Sequence, residues 1–308
     1  MVRRRRPSPL PPRNGVDATR VVLRAGPAPS TVGAAILATP AGEHLTDADL
    51  AARFDAGELL DIDGNRVDPG EPSTPQRAIY FYRDLPDEVE IPFDLDIVYA
   101  DDDIIVVDKP HFLATMPRGR HVTQTALVRL RREFRNDEIA PAHRLDRLTA
   151  GILLFTTRPQ VRAAYQELFA QRSARKTYLA RAAFDEARRT PVRVENRILK
   201  DAGDLRARVV NGPVNAISDI EMVDHLANDD GIYRLTPHTG RTHQLRLHMA
   251  ELGVPIVGDP LYPHVRPELA ELPDQGDFSQ PLRLLAASLA FDDPRSGVPR
   301  EFVSERDL

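Results

Sequence analysis

Apolar positions along this chain change period several times, and each change marks a predicted element. Residues 32–37 carry apolar side chains at helical spacing, and a second helix is predicted over 46–54, where Thr46 and Asp49 have capping-box spacing. Residues 59–67 read as strand, tight Asp63-Gly64-Asn65 turn and strand. The β-rich runs 97–99 and 104–107 flank Asp101-Asp102-Asp103, which predicts a hairpin. Ala126, Leu127, Leu130 and Phe134, with Arg129, Arg131, Arg132 and Glu133 between them, make 123–134 an amphipathic helix. A buried strand is predicted at 151–157 and a helix at 160–169. Strands then dominate around 178–180, 206–210, 217–223 and 233–235, before a helix at 243–252. Strands arrive in runs instead of alternating with helices, so the fold class expected is α+β and not a doubly wound sheet.

This pattern divides the chain into a disordered basic tail (1–18), a small α/β N-terminal module (19–82), a linker with acids and prolines (83–93) and a large catalytic domain (94–308). The tail is rich in Arg and Pro and has little to bury. The 308 residues, 42% hydrophobic, suffice for both folded parts. No apolar run is long enough to cross a bilayer, and the basic N-terminus leads into no apolar signal core, so a cytoplasmic protein without a membrane partner is expected. Cysteine is absent, which excludes disulfides and thiolate metal sites. The net charge of -5 seems wrong for a nucleic-acid partner until its distribution is considered. Acids crowd 43–103, whereas Arg162, Arg172, Arg175, Lys176, Arg181, Arg188, Arg189, Arg193 and Arg197 gather in one later stretch. Phosphate binding depends on the local field, so a basic face on an acidic protein fits RNA, although a solvated helix face would look the same. The helix–helix–hairpin order of 19–82 resembles the alpha-L-type RNA-binding module, without that module's basic face.

Two segments carry candidate chemistry. In 141–151, Asp146 stands between Arg144 and Arg147 just before the buried strand. A carboxylate in a cleft can act as a nucleophile or electrostatic stabiliser at an anomeric carbon. The plainer alternative, a structural Arg–Asp ion pair, is the commoner outcome for an isolated example. In 239–249, Thr239 and Gly240 mark a turn opening a helix, on which Arg246 lies one turn from Thr242 or His243. His243 and His248 are five apart and do not share a face as zinc ligands would, so no metal is expected. There is no P-loop, no Gly-x-Gly-x-x-Gly fingerprint and no internal repeat.

Taken in order, five segments resemble the RluA-type family of pseudouridine synthases over roughly 97–299. They are 103–110 (Asp-Ile-Ile-Val-Val-Asp-Lys-Pro), 143–151, Lys176-Thr177-Tyr178-Leu179-Ala180, 239–248 and 253–262. The resemblance implies a catalytic domain built on a central, mostly antiparallel sheet with flanking helices. It implies an isomerase that converts uridine to pseudouridine in ribosomal or transfer RNA without a cofactor, expected to work as a monomer. Asp146 would be the catalytic carboxylate, Arg246 its ion-pair partner, and Tyr178 the residue that stacks on the target base and assists proton transfer. Arg144 would fill the gap left by a flipped nucleotide. Arg241, His143, Lys176 and Leu284 would contact substrate, with Leu284 packing under the base, and Lys109 and Arg147 would support the loop. The chemistry of the side chains suits these roles: a guanidinium plane can stack in a vacated base position, and a tyrosine offers both a π face and a hydroxyl. Ala150, Met116-Pro117 and Leu285 depart from the family pattern, and none of them holds a chemical role.

Two other readings use the same features. A silent RNA-binding protein would have no need of a carboxylate aimed at an anionic ligand. A nucleoside or glycoside hydrolase would usually require a second carboxylate, and 143–151 supplies one.

Overall fold

The structure, a computed structural model, describes residues 8–23, 31–43, 45–85 and 87–308. It divides into two compact units, Met1–Asp87 and Glu88–Leu308. The first unit runs β1 (Thr19–Val22), α1 (Val32–Leu37), α2 (Asp47–Asp55), β2 (Leu60–Asp61) and β3 (Ala78–Phe81), with its sheet in the order β1-β3-β2. Thr46 caps α2 in a full capping box with Asp49. The turn at 61–65 forms because Asp61 Oδ1 accepts from the amides of Asp63 and Asn65, both at 3.0 Å. The arm beyond that turn makes a single bridge, Leu60 to Arg66, and the lasting partner of β2 is β3. Disorder, expected over 1–18, does not extend to residues 8–18, and residues 1–7 lie outside the described set. Leu10 and Val16 are buried, and the Arg13 guanidinium lies 3.6 Å from the centre of the Tyr82 ring. Two apolar anchors and a cation–π contact hold a segment that composition alone marks as unfolded.

The second unit runs β4 (Asp96–Ala100), β5 (Ile104–Lys109), α3 (Ala126–Phe134), β6 (Ala140–Pro141), β7 (Ala150–Thr156), α4 (Pro159–Ala170) and β8 (Arg175–Ala183). It continues with β9 (Val192–Asn196), β10 (Ile198–Leu199), β11 (Arg208–Val209), β12 (Ala216–His225), β13 (Asp230–Pro237), α5 (Gln244–Glu251), α6 (Pro267–Glu271), β14 (Leu284–Asp292) and β15 (Pro299–Val303). Ten strands form one sheet in the order β4-β5-β7-β14-β8-β13-β12-β9, with β15 beside β14 and β6 beside β7. Only the β7–β14 pairing within it is parallel, so the unit is the α+β fold expected. Part of the expected linker belongs here: Glu88 accepts from the amides of Val122, Thr123 and Gln124 at 3.0, 2.6 and 3.1 Å, and Ile91 is buried.

Strands β5 and β7 are buried throughout because both of their faces are covered. Ile105, Val107, Leu153 and Phe155 pack with Ala126, Leu127 and Leu130 of α3 on one face. Ile104, Val106, Ile152 and Leu154 pack with Val161 and Tyr165 of α4 on the other. Gly151 fixes the meeting of β7 and β14. Its φ is 109°, and a Cβ there would fall 2.3 Å from the Ala286 carbonyl oxygen, so only glycine lets the strands close. No helix among the described residues is long and apolar enough to cross a membrane.

Candidate active site

A cleft of about 1080 Å³ opens where three segments converge: the loop between β6 and β7, the start of β8, and the turn that leads into α5. His143, Arg144, Asp146, Lys176, Tyr178, Arg241, Arg246 and Leu284, every site residue expected from the sequence, line it. They come from four elements spread over about 140 positions.

The 143–149 loop owes its shape to the segment that follows β5. Thr115, itself buried, accepts from the Leu145 amide at 3.1 Å and donates its hydroxyl to the Leu145 carbonyl at 2.8 Å. Lys109 is fully buried, and its ammonium donates to the carbonyls of Pro110, Leu113 and Arg147 at 2.9, 2.8 and 3.3 Å. Burial pushes this lysine down to about 7, with the nearby Asp146 charge opposing that shift. His111 Nδ1 lies 2.8 Å from the Leu148 carbonyl, and because a carbonyl only accepts, Nδ1 carries the proton. Three side chains therefore grip the backbone on both sides of Asp146.

Asp146 itself is half-buried, and among the described residues no group donates a hydrogen bond to its carboxylate or forms an ion pair with it. The flanking arginines look elsewhere. Among the described residues Arg144 is exposed and unpaired, whereas Arg147 reaches Asp274 at 3.7 Å. The structural Arg–Asp pair is thus not what this carboxylate does. Its charge is felt instead by Lys109, Tyr178, His243 and Arg246. Burial, reinforced by Asp146, raises the Tyr178 hydroxyl well above the ordinary tyrosine range, so it remains a neutral donor.

One expectation needs correction. Arg246 is not the ion-pair partner of Asp146. It forms a two-point pair with Asp259, Nε to Oδ2 at 2.8 Å and Nη2 to Oδ1 at 2.6 Å. Both residues are almost wholly buried, 3% and 0% exposed, and a buried guanidinium takes the acceptor that can meet it in the plane of its fork. His143, expected to contact substrate, lines the cleft, and its ring also makes contacts inside the protein. Nε2 accepts from the Leu154 amide at 3.2 Å, and the ring stacks on Phe169 at 4.2 Å. Lys176 lines the cleft half-buried and, among the described residues, without a partner. Arg241 is exposed, with Nε donating to the Asn215 carbonyl at 3.1 Å. Leu284 is buried at the head of β14.

Residues not singled out from the sequence complete the site. His243 adopts a left-handed conformation at the head of α5, φ 57°, and its Nδ1 lies 3.1 Å from the Tyr262 hydroxyl. His111 and Thr115 act through contacts with residues 30 to 37 positions away, which no local pattern reveals.

Burial lowers five histidines of this unit: His143 to about 3, His111, His243 and His248 to about 4, and His121 in the same direction. The unfolded chain, with ordinary histidines near 6.5, takes up protons first as the pH falls. Stability is therefore full above about pH 6.5 and drains away between there and pH 4. The melting temperature should drop by on the order of 10 °C between pH 7 and pH 5. A flat profile over that interval, read by calorimetry, would rule this out.

Comparison with known proteins agrees with the fold. The family model described as RNA pseudouridylate synthase matches residues 103–251. The dual-specificity RNA pseudouridine synthase RluA of Haemophilus influenzae is 31% identical over 228 residues, which cover 70% of this chain and 94% of that protein. Its namesake from Vibrio cholerae is 32% identical over 231 residues, covering 69% and 86%. Among solved structures, human RNA pseudouridylate synthase domain containing 1 superposes with a TM-score of 0.53 at 24% identity, over 69% of this chain and 84% of that one.

Proposed function

The chain belongs to the RluA-type RNA pseudouridine synthases, isomerases that act on RNA, and on that premise we propose that Asp146 converts specific uridines of ribosomal or transfer RNA. The observation that carries this reading is the Asp146 carboxylate, held on a braced loop yet unpaired among the described residues, in a cleft whose charged side chains are mostly cations. The target nucleotide leaves its stack and enters the cleft, which costs a few kcal/mol in opened stacking and pairing. Arg144, exposed and free, fills the space vacated in the RNA. Tyr178 lies flat against the uracil, and Leu284 packs beneath it.

Asp146 then assists cleavage of the bond between ribose C1′ and uracil N1, by attack at C1′ or by removal of a sugar proton. Both routes need the same free carboxylate. The detached base turns within the cleft and C5 bonds to C1′. A proton leaves C5 and N1 gains one, so atoms balance with no oxidant or reductant. Tyr178, a neutral donor beside Asp146, suits the proton transfer.

The direct test supplies unmodified ribosomal and transfer RNA transcripts carrying tritium at uridine C5. Tritium release that rises with enzyme and maps to defined uridines is expected; no release from either RNA would refute the proposal. A parallel assay for free uracil, expected to read zero, separates isomerisation from nucleoside hydrolysis.

The brace yields a second expectation. His111→Ala should lower kcat by about ten- to a hundredfold, because displacement of a reacting group by ~1 Å costs about that much. KM should stay within twofold. His111→Asn keeps a donor near Nδ1 and should restore most of the rate. Equal losses in both variants would show that His111 does not act through the Leu148 carbonyl.

A further inference from the structure

The cleft is charged unequally. Six cations line it (Arg144, Arg172, Arg175, Lys176, Arg241 and Arg246) against two carboxylates, Asp146 and Glu301. Asp259 neutralises Arg246, which leaves five. Elsewhere this acidic chain answers many of its arginines directly: Arg158 with Asp103, Arg181 with Asp230, Arg193 with Asp219, Arg208 with Asp201, Arg234 with Glu221. Three of the uncompensated five are neighbours in sequence, at the end of α4 and the start of β8. Among the described residues, the side chains of Arg172, Arg175 and Lys176 meet no acceptor and no carboxylate.

Two further observations set this group apart from an ordinary solvated face. Arg172 occupies the left-handed region at the end of α4, φ 60°, a position where glycine is the unstrained choice. Arg135 at the end of α3 shares that conformation, so what distinguishes Arg172 is its place on the wall of the cleft. Lys176 is half-buried, and burial lowers its ammonium below the ordinary lysine range with no carboxylate to oppose the shift. A poorly hydrated, unpartnered ammonium beside two free guanidiniums is a ready receptor for phosphate oxygens.

We propose that Arg172, Arg175 and Lys176 form a phosphate wall that grips the RNA backbone next to the target nucleotide. The wall supplies affinity and register, whereas Arg144 and Tyr178 handle the base. Sequence choice does not lie here, since phosphate contacts position without reading bases. The proposal rests on the reading that this cleft receives RNA.

Binding is measured without turnover, on the full chain with a labelled, unmodified transfer RNA transcript, from 50 to 300 mM salt. Each cation that neutralises a phosphate contributes about 0.7–0.9 to the slope of log K against log salt. Arg172→Gln/Arg175→Gln should therefore flatten the slope by about 1.4–1.8 and weaken binding about tenfold at 150 mM salt. Arg135→Gln, which removes an unpaired arginine outside the cleft, should leave the slope unchanged. An unaltered slope in the double variant, or an equal change in the Arg135 control, overturns the wall. Tritium release by the same preparation scores the catalytic reading separately, so the two can fail independently.

Discussion

Asp146→Asn should abolish pseudouridine formation, by about four orders of magnitude or more, while leaving the fold and RNA affinity nearly intact. The size follows from removing the group on which bond cleavage depends, a loss that positioning and binding alone do not recover. Asparagine matches aspartate in shape, and among the described residues the Asp146 carboxylate accepts no hydrogen bond, so no described contact is lost. The melting temperature should stay within about 2 °C. Affinity for RNA should hold within a few-fold or improve slightly, because a negative charge leaves a cleft that faces phosphates. Turnover within tenfold of the native rate would remove Asp146 from the mechanism. Lost turnover together with lost binding would make it a structural residue.

What could be read in advance depended on whether the information was local. Arg144 and Asp146 sit in one short motif, Lys176 and Tyr178 in another, and the cleft brings these together as expected. The error over Arg246 has a different origin. A sequence can reveal that a buried arginine needs a carboxylate, but not which one meets it in the plane of its fork. Asp259 stood in view in the segment 253–262, yet its geometry is set by its own loop, where Oδ1 also accepts from the amides of Leu261 and Tyr262. At His143 the motif marks the residue, but its partners inside the protein, Leu154 and Phe169, lie outside that motif.

The fold was legible to a similar degree. Elements with a clear period formed near their expected places, such as the helix capped by Thr46 and the hairpin of β4 and β5. Strand β14 was not foreseen, although it sits at the middle of the sheet. Its sequence, Leu-Leu-Ala-Ala-Ser-Leu-Ala-Phe-Asp, has three alanines and no alternation, because both faces are buried and local propensity carries little weight there. It becomes a strand by pairing with β7, β8 and β15, all distant in sequence except the last.

The correction at Arg246 leads to a second large effect, on stability. Asp259→Ala should cost about 3–5 kcal/mol, because removing one member of a buried pair leaves the other charge uncompensated. Arg246 is 3% exposed and cannot turn to water, and two loop amides lose their acceptor in the same step. For a unit of this size the loss corresponds to a fall in melting temperature of ~10 °C or more. Activity measured well below that temperature should also drop, since the stranded guanidinium is free to reach the Asp146 charge it already senses and tie up the carboxylate. The double variant Arg246→Met/Asp259→Leu separates these effects. An apolar pair of similar volume can restore stability where a buried ion pair was not net stabilising, yet it cannot restore a positive field at Asp146. Recovered melting temperature with activity still low would assign Arg246 an electrostatic role beyond holding the loop. Recovery of both would reduce it to packing.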